Sequence, residues 1–417
     1  MANIKLCLFV LFVSFRSCLS TVLCEPGFCR NYEFDTGCAS PAPECSINNS
    51  THSGIRLPSP TICNCCDYCL PFIVAGASCS LGGPGLGTNI GRCGPGLTCE
   101  QENGESICKR MDTPCHKAQD DYDLRHTNGE TGELEERPEC DGKGLYAAIS
   151  CLPTQTCFCQ TEDGDRSFGE VLYSGSAVKQ SMRCGCSKFH EKLKKDLNPG
   201  VKYPVSGPRC TSDGNFNPIQ CIGNDCYCVD PVTGVIVEGE GRNVSLLTNP
   251  LTSLRCYDPA LDLFPQQSVG SPPYTYTTPC LENIQNRIEL MQESAEAGYN
   301  VDYASGFPEC LPDGTFGRIA VTSNRSKICV DERRNRIGTY EAFPNTQAYD
   351  DMDCKCAVTS LLVTSSERPV CCRNGNFRRI QCRRGLCRCV DSDGRQEGKE
   401  NANVNNLDCY REDWRNC

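Results

Sequence analysis

Gly214-Asn215-Phe216-Asn217-Pro218-Ile219-Gln220-Cys221, followed by Cys226-Tyr227-Cys228-Val229-Asp230, returns about 160 residues later. The second copy reads Gly375-Asn376-Phe377-Arg378-Arg379-Ile380-Gln381-Cys382, followed by Cys387-Arg388-Cys389-Val390-Asp391. A frame of Gly-x-Phe, Gln-Cys and Cys-x-Cys-Val that recurs this closely marks a small module used more than once. A repeat of this kind decides the fold before any single helix or strand is assigned.

Alignment on the Cys-x-Cys element gives four units. The first holds Cys115, Cys140, Cys151, Cys157, Cys159 and Cys184, with Gly144-Leu145-Tyr146 where the second has Gly214-Asn215-Phe216. The second holds Cys186, Cys210, Cys221, Cys226, Cys228 and Cys256, and the fourth Cys356, Cys371, Cys382, Cys387, Cys389 and Cys409. The third keeps only Cys280, Cys310, Cys329 and Cys354, around Asp313-Gly314-Thr315-Phe316 and Cys329-Val330-Asp331. Its third and fourth cysteines are missing together, as expected if those two bond to each other. Pairing first to second, third to fourth and fifth to sixth follows, which in unit two gives Cys186–Cys210, Cys221–Cys226 and Cys228–Cys256. A bond closing a loop of about 15–30 residues stabilises by roughly 3 kcal/mol in the chain-entropy model. Cys372 and Cys417 are left over and pair with each other in this scheme.

The composition agrees. There are 38 cysteines in 417 residues, a density that marks a disulfide scaffold and an oxidising compartment. Residues 1–20 read as a secretory signal: Lys5, the apolar run Leu6–Phe15, then Cys18 and Ser20 at plausible cleavage positions. Removing them takes Cys7 and Cys18 and leaves an even number, so complete pairing is expected. No other stretch is long and apolar enough to span a bilayer. Asn48, Asn49, Asn243 and Asn324 head Asn-x-Ser/Thr triplets and are candidate glycosylation sites on a secreted surface. The net charge of −11 argues against general nucleic-acid binding. With one tryptophan, 26 prolines and 37 glycines, the chain suits several small cross-linked cores better than one large core.

The repeated frame resembles the thyroglobulin type-1 domain, whose core reads Pro-x-Cys, Asp-Gly-x-Phe, Gln-Cys, Cys-Trp-Cys-Val. Pro208-Arg209-Cys210, Asp213-Gly214-Asn215-Phe216, Gln220-Cys221 and Cys226-Tyr227-Cys228-Val229 match it. The chain departs where Phe158, Tyr227 and Arg388 stand at the Trp position and Gln160 at the Val position. The likeness extends over roughly residues 115–417 apart from one linker. Before it lie Cys24, Cys29, Cys38, Cys45, Cys63, Cys65, Cys66, Cys69, Cys79, Cys93, Cys99 and Cys108. The knot Cys63-Asn64-Cys65-Cys66-Asp67-Tyr68-Cys69 and the later Gly94-Pro95-Gly96-Leu97-Thr98-Cys99 look like the N-terminal domain of insulin-like growth factor binding proteins. Cys66-x-x-Cys69 could also be read as half of a metal site, but disulfides are the better reading in a secreted chain.

The expected fold class is therefore small disulfide-rich α+β modules, with tandem thyroglobulin type-1 domains after a cysteine-knot-like N-terminal domain. The expected layout is a signal (1–20), an N-terminal cysteine-rich module (21–110), repeat 1 (111–184) and repeat 2 (185–256). A Pro-rich linker (257–279), a four-cysteine repeat 3 (280–354) and repeat 4 (355–417) follow. Helix-like stretches open the first three repeats, for example 187–195 and 281–291, where Ile284, Ile288 and Met291 recur at helical spacing. A hairpin through Phe216–Cys221 and Tyr227–Asp230 follows in unit two. Single residues separate units one and two and units three and four, so two tightly coupled pairs are expected, held apart by the linker as a semi-extended spacer.

Catalysis finds little support. The four histidines (His52, His116, His126, His190) fall in no His-Glu-x-x-His pattern, there is no Gly-x-Ser-x-Gly elbow, and oxidised cysteines cannot act as nucleophiles. No enzyme and no cofactor are expected. The resemblance implies instead a secreted, thyropin-type inhibitor of papain-like cysteine proteases, since some domains of this family wedge loops into the cleft of those enzymes. Repeat 2 fits that role best. Its first loop offers Pro199, Gly200, Val201, Tyr203, Pro204 and Val205, and its second offers Ile222, Gly223 and Asn224 between two cysteines.

A second reading is an extracellular matrix protein that holds heparin-like glycans on Arg373, Arg378, Arg379, Arg383, Arg384 and Arg388, in a stretch without acidic residues from Arg368 to Val390. A third is capture of an insulin-like peptide by the N-terminal module. In that family such binding uses an apolar stretch between the last two cysteines, where this chain has the acidic run Glu100–Ile107.

Overall fold

The computed structural model describes residues 28–35, 37–38, 55–58, 65–81, 91–175, 177–196, 207–261, 270–301 and 306–415. They fall into two units, 1–111 and 112–417. In the first, the disulfides Cys29–Cys65, Cys38–Cys66, Cys79–Cys99 and Cys93–Cys108 brace a helix at Phe28–Asp35 and small strand pairs. Leu97–Glu102 and Glu105–Arg110 form an antiparallel hairpin. Asn103 and Gly104 turn it with φ values of 52° and 89°, the pair of left-handed positions that an Asn-Gly turn supplies. The acidic interval Glu100–Glu105 is thus the exposed end of a hairpin.

The second unit is built from one plan used four times. Each repeat opens with a helix: Pro114–Thr127, Gly185–Asp196, Pro279–Glu296 and Lys355–Leu362. The fourth is short and more apolar than the others; it buries Cys356, Ala357 and Thr359. In repeats 1 and 3 the start is fixed by a Thr-Pro pair. Thr113 and Thr278 accept hydrogen bonds from the N–H groups of His116 and Leu281, and proline occupies the first turn, where no N–H is needed. Ile284, Ile288 and Met291 lie on a half-buried face of the third helix.

A three-stranded antiparallel sheet follows in every repeat. In repeat 2 its strands are Ile219–Ile222, Asp225–Cys228 and Asn243–Ser245. Directly opposed residues are cross-linked: Cys151–Cys157, Cys221–Cys226 and Cys382–Cys387. In repeat 3, Val321 and Lys327 occupy the same register in place of a cysteine pair. The remaining bonds join helix to sheet or close the repeat: Cys115–Cys140, Cys159–Cys184, Cys186–Cys210, Cys228–Cys256, Cys280–Cys310, Cys329–Cys354, Cys356–Cys371 and Cys389–Cys409. Cys372 is also disulfide-bonded, and its proposed mate Cys417 lies outside the described residues. So do residues 1–20 with Cys7 and Cys18, and Cys24, Cys45 and Cys63.

The tandem pairs 1–2 and 3–4 are built by the same bonds. Glu170 N–H donates to Ser212 O and Glu341 N–H to Arg373 O, both at 3.0 Å. The Asn215 amide oxygen accepts from Arg183 N–H and that of Asn376 from Asp353 N–H, both at 2.8 Å. Cys184 and Cys354, the last cysteines of repeats 1 and 3, share a left-handed backbone with φ of 56° and 57°. Gly214 and Gly375 have φ of 83° and 81°, and a Cβ on either would strike the sulfur of the preceding repeat's Cys159 or Cys329. Only glycine meets both demands.

The linker does not hold the pairs apart. Tyr257, Tyr274 and Tyr276 pack on the core of repeat 2, formed by Ile219, Cys226, Cys228, Leu246, Leu251 and Leu254. Tyr274 N–H bonds Leu246 O at 2.7 Å. Aromatic rings in the linker gain more from burial than from solvent, so its described ends lie on the domain rather than extending from it. Repeats 2 and 3 then touch directly: Cys210 N–H donates to Pro312 O at 3.0 Å, and Arg209 reaches the Asp313 carbonyl and the Tyr276 ring. Repeats 1 and 4 also meet, and the four repeats close into a ring.

Candidate functional site: the free edge of repeat 2

Pro199, Gly200, Val201, Tyr203, Pro204 and Val205 lie outside the described residues. The base of their loop is described. His190, on the helix Gly185–Asp196, places Nε2 2.7 Å from Pro208 O, and its ring lies where a Cβ on Gly207 would go. Burial holds the imidazole below its ordinary pKa, partly offset by the Pro208 carbonyl, with Glu191 and Lys194 the charged groups nearby. The neutral ring that donates to that carbonyl is thereby favoured.

The second loop is fully described. Cys221 and Cys226 oppose each other and are bonded, Ile222 pairs with Asp225, and Gly223-Asn224 makes the turn. Gly223 has φ of 62°, which a two-residue hairpin turn requires of its first position. Leu246 N–H donates to Asn224 O at 2.8 Å, so the third strand fixes the turn from the side. On this braced tip the Ile222 side chain stands in solvent, 73% exposed, and Leu247, next in sequence to the buried Leu246, is exposed as well.

A third exposed apolar segment lies at the opposite end of the same hairpin and was not singled out by sequence. The turn after Val229 exposes Val232, Val235 and Ile236, Val235 by 64%. Its backbone is held by Asp230, whose carboxylate accepts from Val232 N–H, Thr233 N–H and the Thr233 hydroxyl. Those bonds, led by the one from Thr233 N–H, hold Asp230 below the usual carboxylate range. The signal was present: three β-branched aliphatic residues in a turn find no core to face.

The arginines of repeat 4 do not form one free cationic face. Arg379 pairs with Glu397, and Arg383 and Arg384 both reach Glu367. Arg388 is half-buried, bonded to the Gln396 side chain, and burial lowers its pKa. Arg373 lies over the Phe343 ring, and Arg378 is half-buried. Two carboxylates, Glu397 on the third strand and Glu367 before the run, thus pair with three of these six arginines, and Arg378 and Arg388 are half-buried rather than free.

Two clusters have metal-ligand composition, Cys79/Cys93/Cys108 and Cys186/His190/Cys210. Their cysteines are all in disulfides, so neither offers a thiolate. Cys66 is bonded to Cys38, which removes it from the Cys66-x-x-Cys69 reading. Asn243 and Asn324 are exposed; Asn48, Asn49 and His52 lie outside the described residues. No helix among the described residues is long and apolar enough to cross a membrane.

Modules of one helix, one cross-linked hairpin and a third strand, joined by consecutive disulfides, define a class. Comparison with known families gives it a name: the thyroglobulin type-1 repeat matches residues 186–245 and 363–409, and the chain carries this repeat in both regions. Among curated proteins it is similar to thyroglobulin of Sus scrofa, 26% identical over 176 residues, 41% of this chain and 6% of the relative. It is also similar to equistatin of Actinia equina, 33% identical over 109 residues, 24% of this chain and 38% of the relative. Nidogen-2 of Mus musculus is 28% identical over 105 residues, 22% of this chain and 8% of that protein. The chain thus spans a small fraction of the thyroglobulins it matches and well under half of equistatin. Dense disulfides and this likeness to thyroglobulin and nidogen-2 point to an extracellular protein.

Proposed function

We propose that this is a non-enzymatic inhibitor of papain-like cysteine proteases that acts through the free edge of repeat 2. The carrying observation is Ile222, an exposed aliphatic side chain on a two-residue turn braced by the Cys221–Cys226 bond and by the third strand. A cleft-filling inhibitor needs an apolar anchor that loses little freedom on binding. Covering an Ile side chain contributes about 2 kcal/mol, and the exposed turn Val232–Ile236 adds apolar surface on the same repeat. The likeness to equistatin supports the reading, as does the thyroglobulin type-1 match over this repeat.

Titration of papain and cathepsin-type proteases with the purified full chain tests it. Inhibition that saturates at sub-micromolar concentration is expected; none at micromolar concentration removes the proposal. Heparin-like glycans and an insulin-like peptide are weaker candidates. Three of the six candidate arginines of repeat 4 are paired with carboxylates and two others are half-buried, and the last hairpin of the N-terminal unit ends in acidic side chains rather than an apolar anchor.

A further inference from the structure

We infer that repeats 1 and 4 sequester each other's recognition loops, so that the chain offers one head to a protease and binds it one to one. This rests on the protease reading for the partner, and on the repeat 1–repeat 4 contact for the number.

Each of the three repeat 1 loops that match the candidate recognition loops of repeat 2 is engaged by repeat 4, although Glu133, Thr154 and Asp163 keep exposed side chains. Its hairpin tip, between Cys151 and Cys157, turns Leu152 inward to a shared core with Phe158, Phe377 and Val390; Leu152 is 3% exposed, where the residue after the matching cysteine of repeat 2 is Ile222. The Thr154 hydroxyl at the same tip donates to Glu367 at 3.0 Å. The segment after the first helix lies along the strand Gln396–Asn401. Glu133 N–H donates to the Glu400 carboxylate and Gly398 N–H to the Glu135 carboxylate, both at 2.9 Å. A Cβ on Gly132 would collide with Gln396 and the Gly398 carbonyl. The turn Thr161–Asp165 is capped by Arg395, which donates to Gly164 O, to the Gln160 side chain and to the Ser150 hydroxyl, each at 3.0 Å.

The covering is mutual. Arg395 stands in the repeat 4 turn that matches the exposed Val232–Ile236 turn of repeat 2, so repeat 4 has given that turn to repeat 1. Its segment after the helix is short, with Cys356 and Cys371 only 15 apart in sequence, and Glu367 within it is committed to Arg383 and Thr154. Repeat 4 keeps an open hairpin tip at Arg384–Leu386 but no flanking edge. Repeat 3 has no bond across its hairpin, and its tip Ser323-Asn324-Arg325 is polar.

Active-site-titrated papain mixed with the full chain, with the complex mass measured by light scattering, reads the number. One protease per chain is expected; two per chain overturn the inference. Hydrogen exchange on the free full chain reads the covering independently. The Glu133 and Gly398 amides should be protected well beyond those of the exposed turn at Gly223-Asn224, and exchange at the same rate overturns it. Absence of inhibition with protected amides defeats the protease reading while upholding the covering, so the two failures are separable.

Discussion

Repeats 2 and 4 carry nearly the same sentence, and the fold puts it to opposite uses. In both, glycine of positive φ lies on the previous repeat's cysteine, Phe216 or Phe377 fills the core, and a disulfide clamps the hairpin. After the shared Cys-x-Cys-Val-Asp they diverge. Repeat 2 continues with Val232, Val235 and Ile236, which face solvent; repeat 4 continues with Asp393 and Arg395, which lock onto repeat 1. The common part of the frame builds the scaffold, and a few side chains in one turn decide whether it recognises another molecule or its own neighbour.

The lock centres on buried charge. Arg166 pairs with Glu170, donates to the Thr359 hydroxyl and stacks on Phe158, with Arg395 over the same ring. Burial raises the Glu170 pKa, but Arg166, Arg318 and hydrogen bonds from Thr359 and Thr156 outweigh it and hold the carboxylate below its usual range. Asp393 is held low in the same way, against burial, by Lys355, Arg395 and Arg166.

The largest expected effect comes from Arg166→Ala, which breaks the buried ion pair with Glu170 and should cost about 3–5 kcal/mol, read as a fall in the denaturation midpoint. A loss under about 1 kcal/mol would show that the lock is not needed. Gly214→Ala and Gly375→Ala should each cost about 2 kcal/mol or more, because each forces a Cβ into a cysteine sulfur at positive φ. Equal losses sharpen the claim of a shared scaffold; a tolerated Gly375→Ala breaks it. Replacing both cysteines of Cys221–Cys226 or of Cys382–Cys387 by serine should cost about 2 kcal/mol in either repeat, since each closes a loop of only 5. Only the first pair should also weaken inhibition.

The smallest effect is in pH. Glu170 and Asp393 have depressed folded pKa values. Their stabilisation is present above the ordinary carboxylate range and is lost only as pH falls through the lower folded values. His190 is likewise depressed, from 6.5. Its contribution is complete above that value and declines as pH drops below it. Between pH 7.5 and 5, amide protection relative to the intrinsic exchange rate should therefore fall at Gly207 and Arg209, at the base of the repeat 2 loop, while the 1–4 lock is unchanged; His190→Gln should abolish the difference.

Much of this was legible in sequence. The repeat frame gave the modules because cysteine spacing records loop closure directly, and Ile222 stood out because it lies between two cysteines. The ring was not legible. It depends on Leu152, Gly132 and Arg395 meeting partners more than 200 residues away in sequence, such as Gln160 for Arg395, and no local pattern marks such pairs. The pairing within the arginine run was hidden for the same reason: Glu367 and Glu397 flank it in sequence but return to it in space. The linker misled because its Pro and Ser content outvoted three tyrosines.

The most direct test compares matched tips. Ile222→Glu and Leu386→Glu place the same charge on the exposed hairpins of repeats 2 and 4, and the inhibition constant against papain is measured for each full-length variant. The account predicts a weakening of about tenfold or more for Ile222→Glu, about 1.4 kcal/mol or more, with Leu386→Glu inhibiting as the parent does. Equal weakening by both, or an inhibition constant untouched by Ile222→Glu, would contradict it.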